Sequence, residues 1–181
     1  MHDSVMQWLG AALSMVDLDG KRVLEVGSYD VNGSPRQLVH DLFVPRRYLG
    51  VDIRLGPGVD GILDASEVGV HYPRYFDVVI STEMLEHAVD WRGAVTGMKQ
   101  ALVPGGSLFL SARGPGFGKH DHPHDYWRFT SRDMDRIFAD MARLTVIEDW
   151  QFPGVFVTAR CPRGVWRPQD LSGITVEGVP A

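Results

Sequence analysis

The sequence predicts an α/β protein in which helices cover both faces of a doubly wound, mostly parallel sheet. Short apolar strands alternate with helical segments along the chain. The first strand breaks into a glycine-containing loop within VLEVGSYDVNGS, Val23 to Ser34, which is how such sheets open a ligand crevice. The last two strands are too close in sequence for a parallel crossover, which needs about a dozen residues, so the last strand is expected to be antiparallel.

Each element follows from local patterns. Apolar residues at helical spacing predict a leading helix over 3–17. Pro and Gly in Val103-Pro104-Gly105-Gly106 end a later helix and turn the chain into the next strand. The remaining strands are expected at Arg22–Val26, Tyr48–Asp52, Phe76–Ser81, Ser107–Ser111, Leu144–Trp150 and Val155–Arg160, and the helices at Pro35–Phe43, Trp91–Leu102 and Ser131–Met141.

Composition narrows the classes of function. A chain of 181 residues can bury a full core, and one domain is expected over 1–161, with a proline-containing tail over 162–181 that is loose or draped over the surface. The net charge of −5 gives no field that attracts nucleic acid. Cys161 is the only cysteine, which excludes an internal disulfide and favours the cytoplasm. The amino-terminal segment has no basic leader, so neither a signal peptide nor membrane association is expected.

The glycine loop and the acid that follows it predict a nucleoside site. At Gly27 and Gly33 the backbone can approach a ligand with no Cβ in the way. Asp52 ends the second strand about 25 residues after Gly27, where an acid can accept both hydroxyls of an adenosine ribose. The alternative for the glycines is a plain structural turn, and for Asp52 a cap on the next turn; their spacing favours ribose binding.

With these motifs in order, the chain resembles the class I S-adenosylmethionine-dependent methyltransferases over roughly 21–161, and most closely the small bacterial methyltransferase-domain (type 11-like) proteins. VLEVGSYDVNG stands at the glycine-rich first motif, GVDI at the ribose acid and ILDAS at the adenine contact. FDVVISTEMLEH and LVPGGSLFLS stand at the fourth- and fifth-strand motifs. The resemblance implies a seven-stranded Rossmann-like methyltransferase fold whose last strand is antiparallel, with S-adenosyl-L-methionine as the cofactor.

The resemblance also assigns residues to the cofactor. Asp64 is placed on the adenine amino group, and Glu25 faces the methionine amino group. Glu25 is the sharper case, because an acid inside a buried strand is costly unless it is paired. Taken alone, Asp64 would be a surface acid, and Ile53 and Ala65 would be ordinary core residues. The cofactor-binding set is Glu25, Gly27, Ser28, Gly33, Asp52, Ile53, Asp64, Ala65 and Ser81.

The segment KHDHPHDYWRFT, Lys119 to Thr130, follows the fifth strand at the sheet edge where ligands bind. It fills a pattern H-x-x-P-x-D-Y-W-R-F-T associated with the resembling group. His120 is predicted to be the general base, because histidine titrates near neutrality.

Two other interpretations of this segment stay open. One is a structural loop in which Asp125 pairs with Arg128 and Trp127 packs over the site. The other is a metal site formed by His120, His122 and His124. Methyl transfer itself requires no metal, and none is expected.

A second catalytic candidate lies after the fourth strand, where Glu83, Glu86 and His87 follow one another closely. Glu86 and His87 match an E-H pair of the resembling family, so His87 is predicted to take part in catalysis. The plain alternative is a helix start with acids near its positive end.

The expected function is methyl transfer to an O or N nucleophile of a small molecule or biosynthetic intermediate. The partner is then a small-molecule acceptor, and a homodimer is a possible assembly, because the chain has few residues beyond the core. The main alternative is a non-catalytic S-adenosylmethionine-binding protein. A nicotinamide-dependent oxidoreductase is less favoured, because Ser28 to Asn32 lacks the G-x-G-x-x-G pattern.

Overall fold

The computed structural model describes residues 2–121 and 123–179. Its main sheet has seven strands: β1 Arg22–Val26, β2 Arg47–Asp52, β3 Gly61–Ile62, β4 Phe76–Thr82, β5 Leu102–Arg113, β7 Ala142–Glu148 and β8 Gly154–Arg160. The order across the sheet is β3-β2-β1-β4-β5-β8-β7. Strands β1 to β5 pair in parallel, and β8 is antiparallel to both β5 and β7. The predicted seven-stranded sheet with an antiparallel last strand is confirmed.

Helices cover both faces of this sheet. They are α1 Asp3–Leu13, α2 Pro35–Leu42, α3 Val68–His71, α4 Trp91–Ala101 and α5 Ser131–Ile137. Side chains that alternate along β1 enter two separate cores: Val23 packs in the core that includes α1, whereas Leu24 and Val26 pack in the core that includes α4 and α5. This alternation explains why β1 is apolar on both faces.

The leading helix is shorter than predicted. It ends at Leu13 rather than at residue 17, and the chain then turns into β1. The turn is fixed by Leu18, which is fully buried, and by Gly20, which has a φ of +68° and donates its N–H to the carbonyl of Val44 at 3.0 Å. Helical periodicity in the sequence continued beyond the point at which these tertiary contacts end the helix.

The described part of the tail, 162–179, packs on the domain. Leu171 and Ile174 are buried in the core, and the guanidinium of Arg92 donates hydrogen bonds to both of their carbonyls. Strand β9, Glu177–Gly178, pairs antiparallel with β6, Trp127–Arg128, in a separate two-stranded sheet. In the part of the chain that the structure describes, no helix has the length and apolar character needed to cross a membrane.

Candidate functional site

A cavity of about 410 Å³ opens at the carboxyl ends of β1, β2 and β4, a size typical of small-molecule sites. Its first half, the glycine-loop half, is lined by residues within 25–33, 52–54 and 63–65. Its second half, the histidine half, is lined by His2, residues within 82–90, Phe117, His120 and Pro123.

Gly27 is a position where only glycine fits. Its φ is +79°, and a Cβ there would lie 2.6 Å from the Cβ of Met84. The N–H groups of Gly27 and Ser28 both donate to the carbonyl of Val51, at 2.9 and 3.1 Å, which pins the loop to β2. Gly33 has a φ of +118° but open space around it, so its requirement is conformational.

The bulky residue within the glycine loop has its own packing site. The ring of Tyr29 lies against Gly56, where a Cβ would overlap the ring, and the Arg54 guanidinium stacks over it at 4.2 Å. The carboxylate of Asp30 accepts the N–H of Gly33 at 2.8 Å. These contacts hold the loop in shape around its bulky and acidic residues.

The acids of the glycine-loop half also organise its backbone. The Asp52 carboxylate accepts the N–H groups of Tyr29 and Arg54 at 3.3 and 3.2 Å. Asp64 caps the 3₁₀ helix Ala65–Glu67 by accepting the N–H and the hydroxyl of Ser66, at 2.8 and 2.7 Å. Both acids line the cavity. Asp52 therefore has the capping role of its plain alternative, and Asp64 is the exposed acid of its own alternative. Each also has a position from which it can contact a ligand.

Ile53 and Ala65 differ in exposure. Ile53 is 55% exposed and lines the cavity, so it is not a core residue. Ala65 is buried, belongs to the core and also lines the cavity.

Glu25 is buried in β1 and lines the cavity. Burial raises the pKa of its carboxyl to about 7. The hydroxyl of Tyr48 donates to its Oε2 at 2.7 Å, which satisfies one oxygen of this acid. The pairing of Glu25 with Gly50 in the sheet register places Tyr48, two positions earlier on β2, on the same face.

The histidine half brings the two predicted catalytic residues together. The rings of His87 and His120 meet edge to face with centroids 4.8 Å apart. The Nδ1 of His87 lies 2.6 Å from the carbonyl of His124, and the Nδ1 of His120 lies 3.0 Å from Oδ2 of Asp125. Burial lowers the pKa of both imidazoles. Both therefore favour the neutral form near neutral pH.

Glu86 lies beside this pair. Its side chain is fully buried, and its Oε1 lies 3.9 Å from Nε2 of His120, beyond hydrogen-bond distance. Neither carboxyl oxygen has a hydrogen-bond partner among the described residues. Burial raises the pKa of Glu86 to about 8, so the carboxyl is protonated at neutral pH.

The predicted ion pair of the histidine segment is confirmed. Arg128 donates to both oxygens of Asp125, at 2.5 and 2.6 Å. Burial would raise the pKa of Asp125, but the hydrogen bonds from Arg128 and from the His120 N–H outweigh it, and that pKa falls to about 2. The Trp127 indole donates to the carbonyl of Ala88 at 2.8 Å, which docks the segment on the turn after β4.

The three-histidine cluster considered from the sequence is not what the described residues form. His122 lies outside them. The side chains whose potential ligand atoms meet within 4.8 Å are Glu86, His87 and His120. His124 contributes its backbone carbonyl instead of its ring.

His2, the first of the described residues, lines the histidine half of the cavity. The backbone N–H and the Nδ1 of His2 contact the Glu83 carboxylate at 3.1 and 2.6 Å, and that carboxylate also pairs with buried Arg113. Burial would raise the pKa of Glu83, but Arg113 and His2 hold it below its ordinary value. The His2 ring packs against Phe117 and Phe152.

A family model described as a methyltransferase domain matches residues 3–139. The chain belongs to the methyltransferase-domain family. Membership confirms the predicted class, an S-adenosylmethionine-dependent methyltransferase with S-adenosylmethionine as its cofactor. No curated protein matches this methyltransferase by sequence.

Solved structures share the fold of the methyltransferase at low sequence identity. A chain from the complex between a Haloferax volcanii methyltransferase activator and a methyltransferase has a TM-score of 0.67 and 15% identity, with 91% of each chain covered. An S-adenosylmethionine-dependent methyltransferase from Mesorhizobium loti has a TM-score of 0.63 and 17% identity, covering 87% of this chain and 97% of that one. The Burkholderia thailandensis 1,6-didemethyltoxoflavin-N1-methyltransferase has a TM-score of 0.63 and 15% identity, covering 87% and 78%. These similarities confirm the Rossmann-like fold.

One predicted site residue of the methyltransferase needs correction. Ser81 is fully buried and is not among the residues that line the cavity, whereas its neighbour Thr82 is. Side chains alternate along β4, so a shift of one residue moves the side chain to the other face of the sheet. The other predicted cofactor-binding residues line the cavity: Glu25, Gly27, Ser28, Gly33, Asp52, Ile53, Asp64 and Ala65.

Sequence reasoning also missed residues that shape the site. Tyr48, which bonds Glu25, was detectable from the period of two along β2. His2 and Arg113 had no such signal, because they meet Glu83 from positions 81 residues before and 30 residues after it.

Proposed function

We propose that the methyltransferase transfers a methyl group from S-adenosylmethionine to an O or N nucleophile of a small molecule or biosynthetic intermediate. The observation that supports this function is one continuous cavity, whose glycine-loop half suits the donor and whose histidine half carries His87 and His120. A protein that only bound the cofactor would need no second half with titratable side chains.

The residues of the glycine-loop half fit the donor. When bound, S-adenosylmethionine supplies an electrophilic methyl group on its sulfonium. Asp52 would accept the two ribose hydroxyls in charge-assisted hydrogen bonds, and Asp64 the adenine amino group. Exposed Ile53 offers an apolar surface to the purine. Gly27 allows the methionine end to approach the backbone, next to buried Glu25.

His120 is the proposed base toward the acceptor. The acceptor atom bonds to the methyl carbon as the carbon–sulfur bond breaks, and the acceptor's proton passes to Nε2 of His120. The Nδ1 faces the carbonyl of Gly118 at 3.3 Å and the Asp125 carboxylate at 3.0 Å, which orients the ring and assigns the proton-accepting role to Nε2. The lowered pKa of His120 keeps this nitrogen unprotonated near neutral pH. His87 packs edge-on against the ring and holds it in place.

The proposed acceptor is small, because the whole cavity of about 410 Å³ is shared by donor and acceptor. Buried, unbridged Cys161 supports the cytoplasm as the proposed location. We also propose a homodimer as the assembly of this protein.

Two measurements test the proposed function. Calorimetric titration with S-adenosylmethionine, S-adenosylhomocysteine and NAD should show binding of the first two and none of NAD. A panel of hydroxyl- and amine-bearing acceptors should then release S-adenosylhomocysteine with at least one compound. Donor binding without release across the panel would favour the non-catalytic alternative, and absence of donor binding would contradict both.

A further inference from the structure

Three potential metal ligands converge at the base of the histidine half. A carboxylate oxygen of Glu86 and one ring nitrogen each of His87 and His120 lie within 4.8 Å of one another. Ligand atoms in a tetrahedral zinc site lie about 3.3 Å apart, so each would move inward by roughly 1 Å on binding.

The contacts around the two histidines set their orientation for metal binding. Metal-binding histidines usually donate their second ring N–H to a carboxylate or a backbone carbonyl, which fixes the tautomer. The Nδ1 of His120 faces Asp125 at 3.0 Å, and the Nδ1 of His87 faces the carbonyl of His124 at 2.6 Å. Asp125 is itself held by Arg128. Both rings are thereby directed to coordinate through Nε2.

Glu86 gives an independent reason to expect a cation. A fully buried carboxyl normally has hydrogen-bond partners, because burial without them is costly. Glu86 is fully buried, and neither of its oxygens has a partner among the described residues. Nε2 of His120 lies 3.9 Å from Oε1 of Glu86, which is too far for a hydrogen bond. A metal ion coordinated there would satisfy the Glu86 carboxyl group.

We propose that Glu86, His87 and His120 bind a divalent transition-metal ion, with Zn²⁺ as the best match to two imidazoles and one carboxylate. A set of two histidines and a glutamate leaves one coordination position open, as in catalytic zinc sites. Because His87 and His120 line the cavity, an ion bound by them would be accessible from it.

The metal site would add a catalytic group to the proposed function. Only this catalytic use rests on the proposed function; metal binding itself does not. In the metal-free protein Nε2 of His120 is the base. With a metal bound, that nitrogen would be a ligand, and an acceptor hydroxyl that reached the ion would have a lowered pKa. The hydroxyl proton then passes to water.

Metal titration of the full chain tests the site without any acceptor. After treatment with a chelator and dialysis, the protein is titrated with ZnCl₂ by calorimetry and with Co²⁺ by visible absorption. We expect one equivalent to bind with a tetrahedral Co²⁺ spectrum. Glu86→Gln, His87→Ala and His120→Ala should each weaken binding by at least about tenfold.

His124→Ala is the matched control. It removes an exposed imidazole from the same segment but keeps the carbonyl that orients His87, so its affinity should stay within about threefold of wild type. Thermal melting of every variant checks folding, and Glu86→Gln is nearly isosteric.

Three results would overturn the site. These are no uptake of Zn²⁺ or Co²⁺, uptake that the three ligand variants leave unchanged, and a loss in His124→Ala equal to that in His87→Ala. Donor binding is titrated separately. Donor binding without metal uptake refutes only the metal site, whereas metal uptake without donor binding refutes only the proposed methyl transfer.

Discussion

The two halves of the cavity differ in how their polar side chains are satisfied. In the glycine-loop half, Asp52 and Asp64 accept backbone hydrogen bonds and Glu25 accepts the Tyr48 hydroxyl. In the histidine half, Glu86 is fully buried and its oxygens have no partner among the described residues. His87 and His120 have pKa values lowered by burial.

This difference suggests that the two halves have separate roles, donor binding in one and chemistry in the other. A half whose acids already accept hydrogen bonds from the protein is organised before the donor arrives and need not change to bind it. A half that buries ionisable groups at low polarity keeps them poised for proton transfer or metal binding. Four substitutions test whether the two halves differ in this way, and the largest effect is expected in the histidine half.

Replacing His120 should have the largest effect. His120→Ala removes the proposed base, so turnover should fall by about 100- to 10,000-fold while donor affinity changes little. Steady-state release of S-adenosylhomocysteine and calorimetric donor titration measure the two quantities. His124→Ala is the control and should keep most of the activity. If His120→Ala has normal turnover, the segment is a structural lid, and the two halves do not differ in catalytic role.

In the glycine-loop half, the largest effect is expected at Gly27. In Gly27→Val the new side chain would overlap Met84 at a positive φ, so affinity for S-adenosylmethionine should fall by about 100-fold or more. Binding of adenosine should persist, because the clash lies at the methionine end. Gly61→Ala, at a glycine with open space and no positive φ, should bind both ligands normally. Equal loss of both ligands in Gly27→Val would indicate a folding defect.

Asp52 should have a smaller effect than Gly27. Asp52→Ala removes two proposed charge-assisted hydrogen bonds, each contributing about 1.5–3 kcal/mol before compensation. Calorimetry should therefore show donor affinity reduced by at least about tenfold in a protein that still folds. Glu67→Ala, at an exposed acid outside the cavity lining, is the control and should leave affinity unchanged. Wild-type affinity in Asp52→Ala would refute the ribose assignment.

The smallest effect concerns stability and pH at Glu25. The pKa of this acid is about 7 in the folded protein against an ordinary value of 4.5, so its contribution is present below pH 4.5 and is lost as the pH rises through 7. Glu25→Gln cannot ionise. The variant should therefore gain stability relative to wild type between pH 5 and pH 8, by at most roughly 3 kcal/mol.

Chemical denaturation at several pH values checks this expectation. Glu86 also has a raised pKa, so only the difference between wild type and Glu25→Gln isolates the contribution of Glu25. A difference that stays constant with pH would show that Glu25 is ionised in the folded state.

Local sequence patterns were sufficient to predict the sheet and the residues of the glycine-loop half. Alternating strands and helices define a parallel sheet, and the carboxyl ends of parallel strands share one edge. The loop after β1 and the acid at the end of β2 must therefore meet, which is why the spacing of Gly27 and Asp52 was informative. The sequence patterns did not predict two details, the face of the sheet on which the Ser81 side chain lies and the residue at which α1 ends. Both depend on tertiary contacts that local periodicity does not reveal.

The set of side chains that meet in the histidine half depends on the tertiary structure and could not be predicted from the sequence. The sequence grouped His120 with its neighbours His122 and His124, but the fold places it against Glu86 and His87, more than thirty residues earlier. The docking of Trp127 on Ala88 and the pairing of Asp125 with Arg128 determine that placement. Which side chains of two loops meet depends on how the loops pack, and packing is a property of the whole core rather than of a local pattern.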